Sequence, residues 1–134
     1  LANALYDGGR EGILDGSINV SSGTIKALLA TSGYTPNTAT HRNVSDVGSG
    51  NIVVRSSSFT SKTETAGVFN AANVTFTAVT GSTAGYIVIY QDSGTDSTSR
   101  LVAIIDTATG LPVTPNGGDI SITWDTGANK IFKL

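Results

Sequence analysis

Apolar and polar positions fall into three patterned runs between residues 85 and 126. Residues 86–90 (Tyr-Ile-Val-Ile-Tyr) and 101–105 (Leu-Val-Ala-Ile-Ile) are short and continuously apolar, as expected of strands covered on both faces. Ile120, Ile122 and Trp124 alternate with Ser121 and Thr123, the period of a half-buried strand. These central strands predict the core of a β-domain. Further strands are predicted at 24–30 (Ile25, Ala27 and Leu29 on one face), 51–55, 59–65, 73–79 and near the C-terminus at Ile131, Phe132 and Leu134. The Thr-Ser-Lys-Thr-Glu-Thr run at 60–65 suggests a solvated edge or ribbon.

Helical spacing occurs only at the start. Leu5, Gly9 and Ile13 recur at i, i+4 and i+8, which predicts an N-terminal helix or arm over 1–16, with Asn3 as cap and Gly16 just past its end. Gly8, Gly9 and Gly12 each weaken such a helix by about 1 kcal/mol relative to Ala. Their bare surface predicts close packing on the chain's own sheet or on a neighbouring subunit. Residues 31–50 lack periodicity and form a long loop with room for a helical turn at 43–47; such excursions tend to make contacts. Gly110–Gly118 carries Pro112, Pro115 and a Gly pair, which excludes a central strand.

About eight short strands divided by turns predict one all-β, mainly antiparallel domain over 1–134. A β-sandwich or jelly roll with a short N-terminal helix fits best, and a flattened barrel is the nearest alternative. Composition agrees. Charged residues make up 13% of the chain, and 15 Ser, 19 Thr and 16 Gly carry the polarity, a mixture of strand and turn formers. A net charge of −2 without a basic stripe argues against a nucleic-acid partner. No apolar run approaches the roughly 20 residues that cross a bilayer, so no membrane partner is expected. The absence of methionine predicts that the initiator has been removed.

Candidate chemistry is sparse. His41 is the one histidine; it lies in the long loop with no Gly-x-Ser-x-Gly elbow in the chain, so a loop or interface residue is favoured over a catalytic base. The eight aspartates fall mostly at turns, where Asp is the usual choice, and no pair stands out as a glycosidase dyad. Asp92-Ser-Gly-Thr-Asp96 loosely resembles a calcium loop but lacks its ligand order and terminal Glu; an Asx-type hairpin loop is the simpler reading. Cysteine is absent, which removes thiolate chemistry and structural zinc. Gly8-Gly9 and Gly117-Gly118 lack phosphate-loop spacing. Tyr86, Tyr90 and Trp124 fall in predicted core strands, leaving Tyr34 in the loop as the aromatic expected to be exposed. No enzyme, cofactor or metal site is expected.

Several blocks carry a likeness. These are residues 3–16 (Asn-Ala-Leu-Tyr-Asp-Gly-Gly-Arg-Glu-Gly-Ile-Leu-Asp-Gly), 24–29, Tyr-Thr-Pro-Asn at 34–37, 67–79, 99–106, Thr-Gly-Leu-Pro-Val-Thr-Pro-Asn-Gly-Gly-Asp-Ile-Ser-Ile-Thr-Trp at 109–124, and 130–134. The chain resembles small virion proteins of tailed bacteriophages and prophages over nearly its whole length, most specifically from Ser99 onward. That resemblance implies a capsid cement or decoration protein, made in the host cytoplasm and carried on the virion's capsid surface. Its implied partners are a major capsid protein and copies of itself, such as a trimer. A tail, neck or fibre-associated role and a carbohydrate- or receptor-binding sandwich remain as alternatives. The N-terminal helix, the 31–50 loop and the C-terminus are the expected contact elements, with Leu5, Ile13, Tyr34, Phe132 and Leu134 as interface residues and apolar surface exposed on the single subunit.

Overall fold

The structure, a computed structural model, describes residues 3–108 and 111–134. The first two residues of the expected helix and the opening of the 110–118 turn fall outside the described residues. Among the described residues the fold is all-β and antiparallel with one short α-helix. Its centre is a five-stranded sheet built from β1 (Ala4–Leu5), β2 (Ile25–Thr31), β3 (Ile52–Arg55), β6 (Ala84–Gln91) and β7 (Arg100–Ile105). Spatial order is β1-β7-β6-β2-β3, with every neighbouring pair antiparallel. The apolar runs at 86–90 and 101–105 thus lie in the interior strands, as their composition requires.

Both faces of this sheet are covered, by different means. Ile25, Ala27 and Leu29 of β2 and Ile87 and Ile89 of β6 point to one side. There they meet two ribbons: β4 (Val68–Phe69) paired with β9 (Phe132–Lys133), and β5 (Val74–Phe76) paired with β8 (Ile120–Ile122). Phe59, Phe69, Phe76 and Trp124 fill this layer. Phe59 packs between Phe69 at 6.4 Å and Trp124 at 5.5 Å between ring centroids. The second layer of the sandwich is therefore broken into short ribbons instead of forming a full sheet.

Leu28, Val88, Tyr90, Leu101 and Ile104 point to the other side, against Tyr6, Tyr34, Val44 and Val47. The long 31–50 loop is thus the cover of the second face. Its expected helical turn is a 3₁₀ turn at Val44–Asp46, closed by a reciprocal capping box between Asn43 and Asp46.

The start of the chain departs from its predicted helix. The helix α1 spans Asp7–Asp15, and Ala4–Leu5 is instead an edge strand pairing with Ile104 and Ala103. Asn3 does not cap the helix: its Oδ1 accepts the amides of Asp106 at 3.0 Å and Thr107 at 3.3 Å, fastening the chain start to the end of β7. Gly16 ends the helix in the left-handed conformation, φ 84°, as predicted. The glycine surface packs on the chain's own sheet. A Cβ on Gly9 would stand 2.7 Å from the Val102 carbonyl oxygen, so only glycine permits this approach. The ladder makes room there through a bulge: Ile89 opposes Ala103 while Tyr90 opposes Leu101, leaving Val102 without an opposite residue.

Other boundaries are shorter than periodicity suggests. Residues 59–65 do not form a strand, because Ser61 turns to φ 54°; only a bridge between Thr63 and Asn70 remains. The 73–79 strand ends before Ala78, which has φ 50°, and the 120–124 strand stops at Ile122, although Trp124 stays buried.

Candidate functional site

The chemically distinctive side chains gather in three places. The first lies beneath the 31–50 loop. The Tyr6 and Tyr34 hydroxyls are 2.9 Å apart, and the Tyr34 hydroxyl is 2.8 Å from His41 Nδ1. The Asn37 amide also donates to Nδ1, at 3.3 Å. A backbone N–H can only donate, so Nδ1 is the acceptor and the ring proton sits on Nε2. Tyr34 therefore donates to His41 and receives from Tyr6. Burial pushes both phenols up from their ordinary range. The Tyr34 and His41 rings stack at 5.7 Å. Among the described residues, no serine or carboxylate hydrogen-bonds His41, and the nearby Asp46 carboxylate is held instead by the Arg42 and Asn43 amides; the imidazole acts as an acceptor that fastens the loop.

The second place is the 91–99 hairpin. Asp92 Oδ1 accepts the Gly94 amide at 2.9 Å, an Asx turn, and its Oδ2 meets Lys26 Nζ at 2.8 Å. Asp96 holds Arg55 in a two-point pair at 2.6 and 2.8 Å. Lys26 and Arg55 hold the two carboxylates below the usual range. Each acid faces a cation instead of converging with the other. Among the described residues, no group of three or more metal-ligating side chains comes together.

The third place is the β1 edge of the sheet. A cleft of about 340 Å³ runs between β1 and β9, lined by Asn3, Leu5, Arg10, Asp125, Lys130 and Phe132 among others. A second of similar volume adjoins it, sharing Asn3, Asp125 and Lys130 and reaching Trp124. Asp125 Oδ1 accepts the Gly127 amide at 3.0 Å, and Lys130 Nζ donates to the Thr126 carbonyl at 3.0 Å.

The expected interface residues divide accordingly. Leu5 is buried in the core, a correction that follows from its strand position: its side chain enters the layer filled by the ribbons. Tyr34, expected exposed, is 3% exposed, because its ring closes the second face and meets Tyr86 edge-on at 5.9 Å. Ile13 is half-buried against the core. Phe132 is half-buried, 5.2 Å from Phe69. Leu134 stays 55% exposed although its amide is tied to the Gly67 carbonyl. Leu14, which periodicity did not single out, is 83% exposed. The residues that meet at the β1 cleft come from chain positions more than a hundred apart, and no local spacing marks them. No helix among the described residues is long and apolar enough to cross a membrane. No protein-family model matches the chain, and a search of curated proteins finds no match.

Proposed function

We propose that this chain is a structural virion protein that decorates and stabilises a bacteriophage capsid through protein–protein contacts. One observation carries the non-catalytic part of this reading. The ionisable side chains beneath the 31–50 loop and in the 91–99 hairpin are taken up by internal fastening: His41 by Tyr34, Asp92 by Lys26, Asp96 by Arg55, and Asp46 by the amides of Arg42 and Asn43. What faces outward is hydroxyl-rich surface, an edge-strand cleft, and the exposed Leu14 and Leu134. The phage part rests on the likeness of the sequence blocks, above all from Ser99 onward. On this reading the protein sits on the capsid surface beside a major capsid protein and further copies of itself.

Particles assembled without the protein test the proposal. They should form with normal shape but release their genome at lower temperature, and added purified protein should restore their resistance and be seen on the shell by electron microscopy. Unchanged heat resistance, or labelling confined to the tail, overturns it.

A further inference from the structure

The β1 edge carries an inference beyond that reading and independent of which particle bears the protein. β1 is one of the two outer strands of the central sheet, β3 being the other, and its register sets which backbone groups face outward. The Tyr6 amide bonds the Val102 carbonyl, and Ala4 and Leu5 oppose Ile104 and Ala103. Antiparallel pairing alternates between bonded and non-bonded residue pairs, so the Leu5 amide and carbonyl point away from β7. The carbonyl meets only a long 3.3 Å contact from Arg10 Nη1, and Leu5 lines the cleft that separates β1 from β9.

The cleft offers more than an edge. Of its apolar lining, Leu5, Ala103, Ile105 and Ile131 are largely taken up by the core, and the half-buried Phe132 offers the apolar contact for a side chain of an extended segment. Its charged lining consists of three cations, Arg10, Lys130 and Lys133, against one carboxylate, Asp125. Arg10 is paired with the Asp7 carboxylate at 3.1 Å; Lys130 gives one donor to the neutral Thr126 carbonyl and keeps its charge uncompensated there, so Lys130 and Lys133 are the cations best placed to meet an anion. A chain of net charge −2 thus concentrates positive charge where it also leaves a strand edge. Main-chain pairing with side-chain pockets is the general mode of strand addition, and complementary charge selects the partner.

We propose that this cleft takes an extended, carboxylate-bearing segment of another protein chain, added as a strand to the β1 edge with its acidic side chains toward Lys130 and Lys133. The test uses the whole ¹⁵N-labelled protein and a blocked hexapeptide alternating Val and Glu, with the Val/Lys counterpart as control. The acidic peptide should shift the amides of Ala4, Leu5, Ile131 and Phe132 and slow exchange of the Leu5 amide. The double variant Lys130→Glu, Lys133→Glu should weaken it by about tenfold or more. In the unaltered protein, raising salt from about 0.05 to 0.5 M should weaken it several-fold, a readout that does not depend on the variant folding. Four results overturn the proposal: no shifts at millimolar acidic peptide, equal binding of the lysine peptide, shifts mapping elsewhere, or indifference to both salt and charge reversal. The same shifts appearing with protein concentration alone would assign the cleft to a second copy of the chain and overturn it as well.

Discussion

The hydroxyls of Tyr6 and Tyr34 meet at 2.9 Å across 28 residues of sequence, inside the layer between the central sheet and the 31–50 loop. Neither ring has more than slight exposure, and His41 receives the last hydrogen bond at the loop surface. The contact ties the start of the helix to the loop that covers the second face of the sheet. The fastening depends on direction, because each hydroxyl donates toward the exterior.

Removing the middle of this relay should cost more than removing its inner end. Tyr34→Phe leaves the buried Tyr6 hydroxyl without its partner, a loss of about 1–3 kcal/mol. Tyr6→Phe leaves Tyr34 still bonded to His41 and should cost about 0.5–1.5 kcal/mol. Urea denaturation of both single variants and the double variant measures the difference. Equal costs would show that Tyr6 finds another partner.

Helix propensity and packing make opposite predictions at Gly9. Alanine favours a helix by about 1 kcal/mol over glycine, yet a Cβ there meets the carbonyl oxygens of Val102 at 2.7 Å and Leu101 at 2.9 Å. Backbone of an interior strand does not yield, so Gly9→Ala should destabilise by about 1–3 kcal/mol. At Gly8 the nearest atom is Arg42 Cγ at 3.1 Å, part of a flexible side chain. Gly8→Ala should therefore lie within about 1 kcal/mol of the parent. Thermal melts of the pair decide it.

Acid should loosen the 91–99 hairpin before the core. The Asp96 pKa is lowered chiefly by its hydrogen bonds from Arg55, and that of Asp92 chiefly by Lys26. A depressed carboxylate contributes stability above its unfolded pKa, about 3.9, and loses it as pH falls through the lower folded value. Stability should thus decline below about pH 4, and less steeply in Asp96→Asn. Because the Arg55–Asp96 pair is more than a third exposed, that variant should lose only about 0.5–1 kcal/mol at neutral pH. Denaturation midpoints measured from pH 7 down to pH 2.5 check both slopes.

Trp124, the one tryptophan, reports on the ribbon layer. It is buried, and its Nε1 donates to the Ala72 carbonyl at 3.0 Å. Its emission should be blue-shifted in the fold and move to the red on unfolding. Trp124→Phe should lose about 1–3 kcal/mol by leaving that carbonyl unpaired, and Trp124→Ala about 3–5 kcal/mol through the added cavity. Circular dichroism melts provide the comparison.

Where one-dimensional pattern suffices, the chain was legible. The doubly apolar runs at 86–90 and 101–105 are interior strands because no polar side chain interrupts either face. Gly16 ends the helix because a left-handed residue is needed there. Leu5 was misread because a helical spacing of four also suits a two-residue strand followed by a new helix. Tyr34 was misread because a residue in an aperiodic loop gives no sign of which way it turns. The β1 cleft was invisible: Asn3, Arg10 and Lys130 share no spacing, and only chain reversal brings them together.

The sequence by itself determined the class of fold, since alternation, β-branched content and turn residues act over a few neighbours and need no partner to be read. It also determined the scarcity of reactive groups. Tertiary structure decided which apolar residues are covered and which strands are left as edges. Those outcomes depend on long-range pairing, where Asn3 finds Asp106 and Tyr6 finds Tyr34. Burial is a property of the assembled layers, so Leu5 becomes a core residue while Leu14, nine residues on, is left exposed.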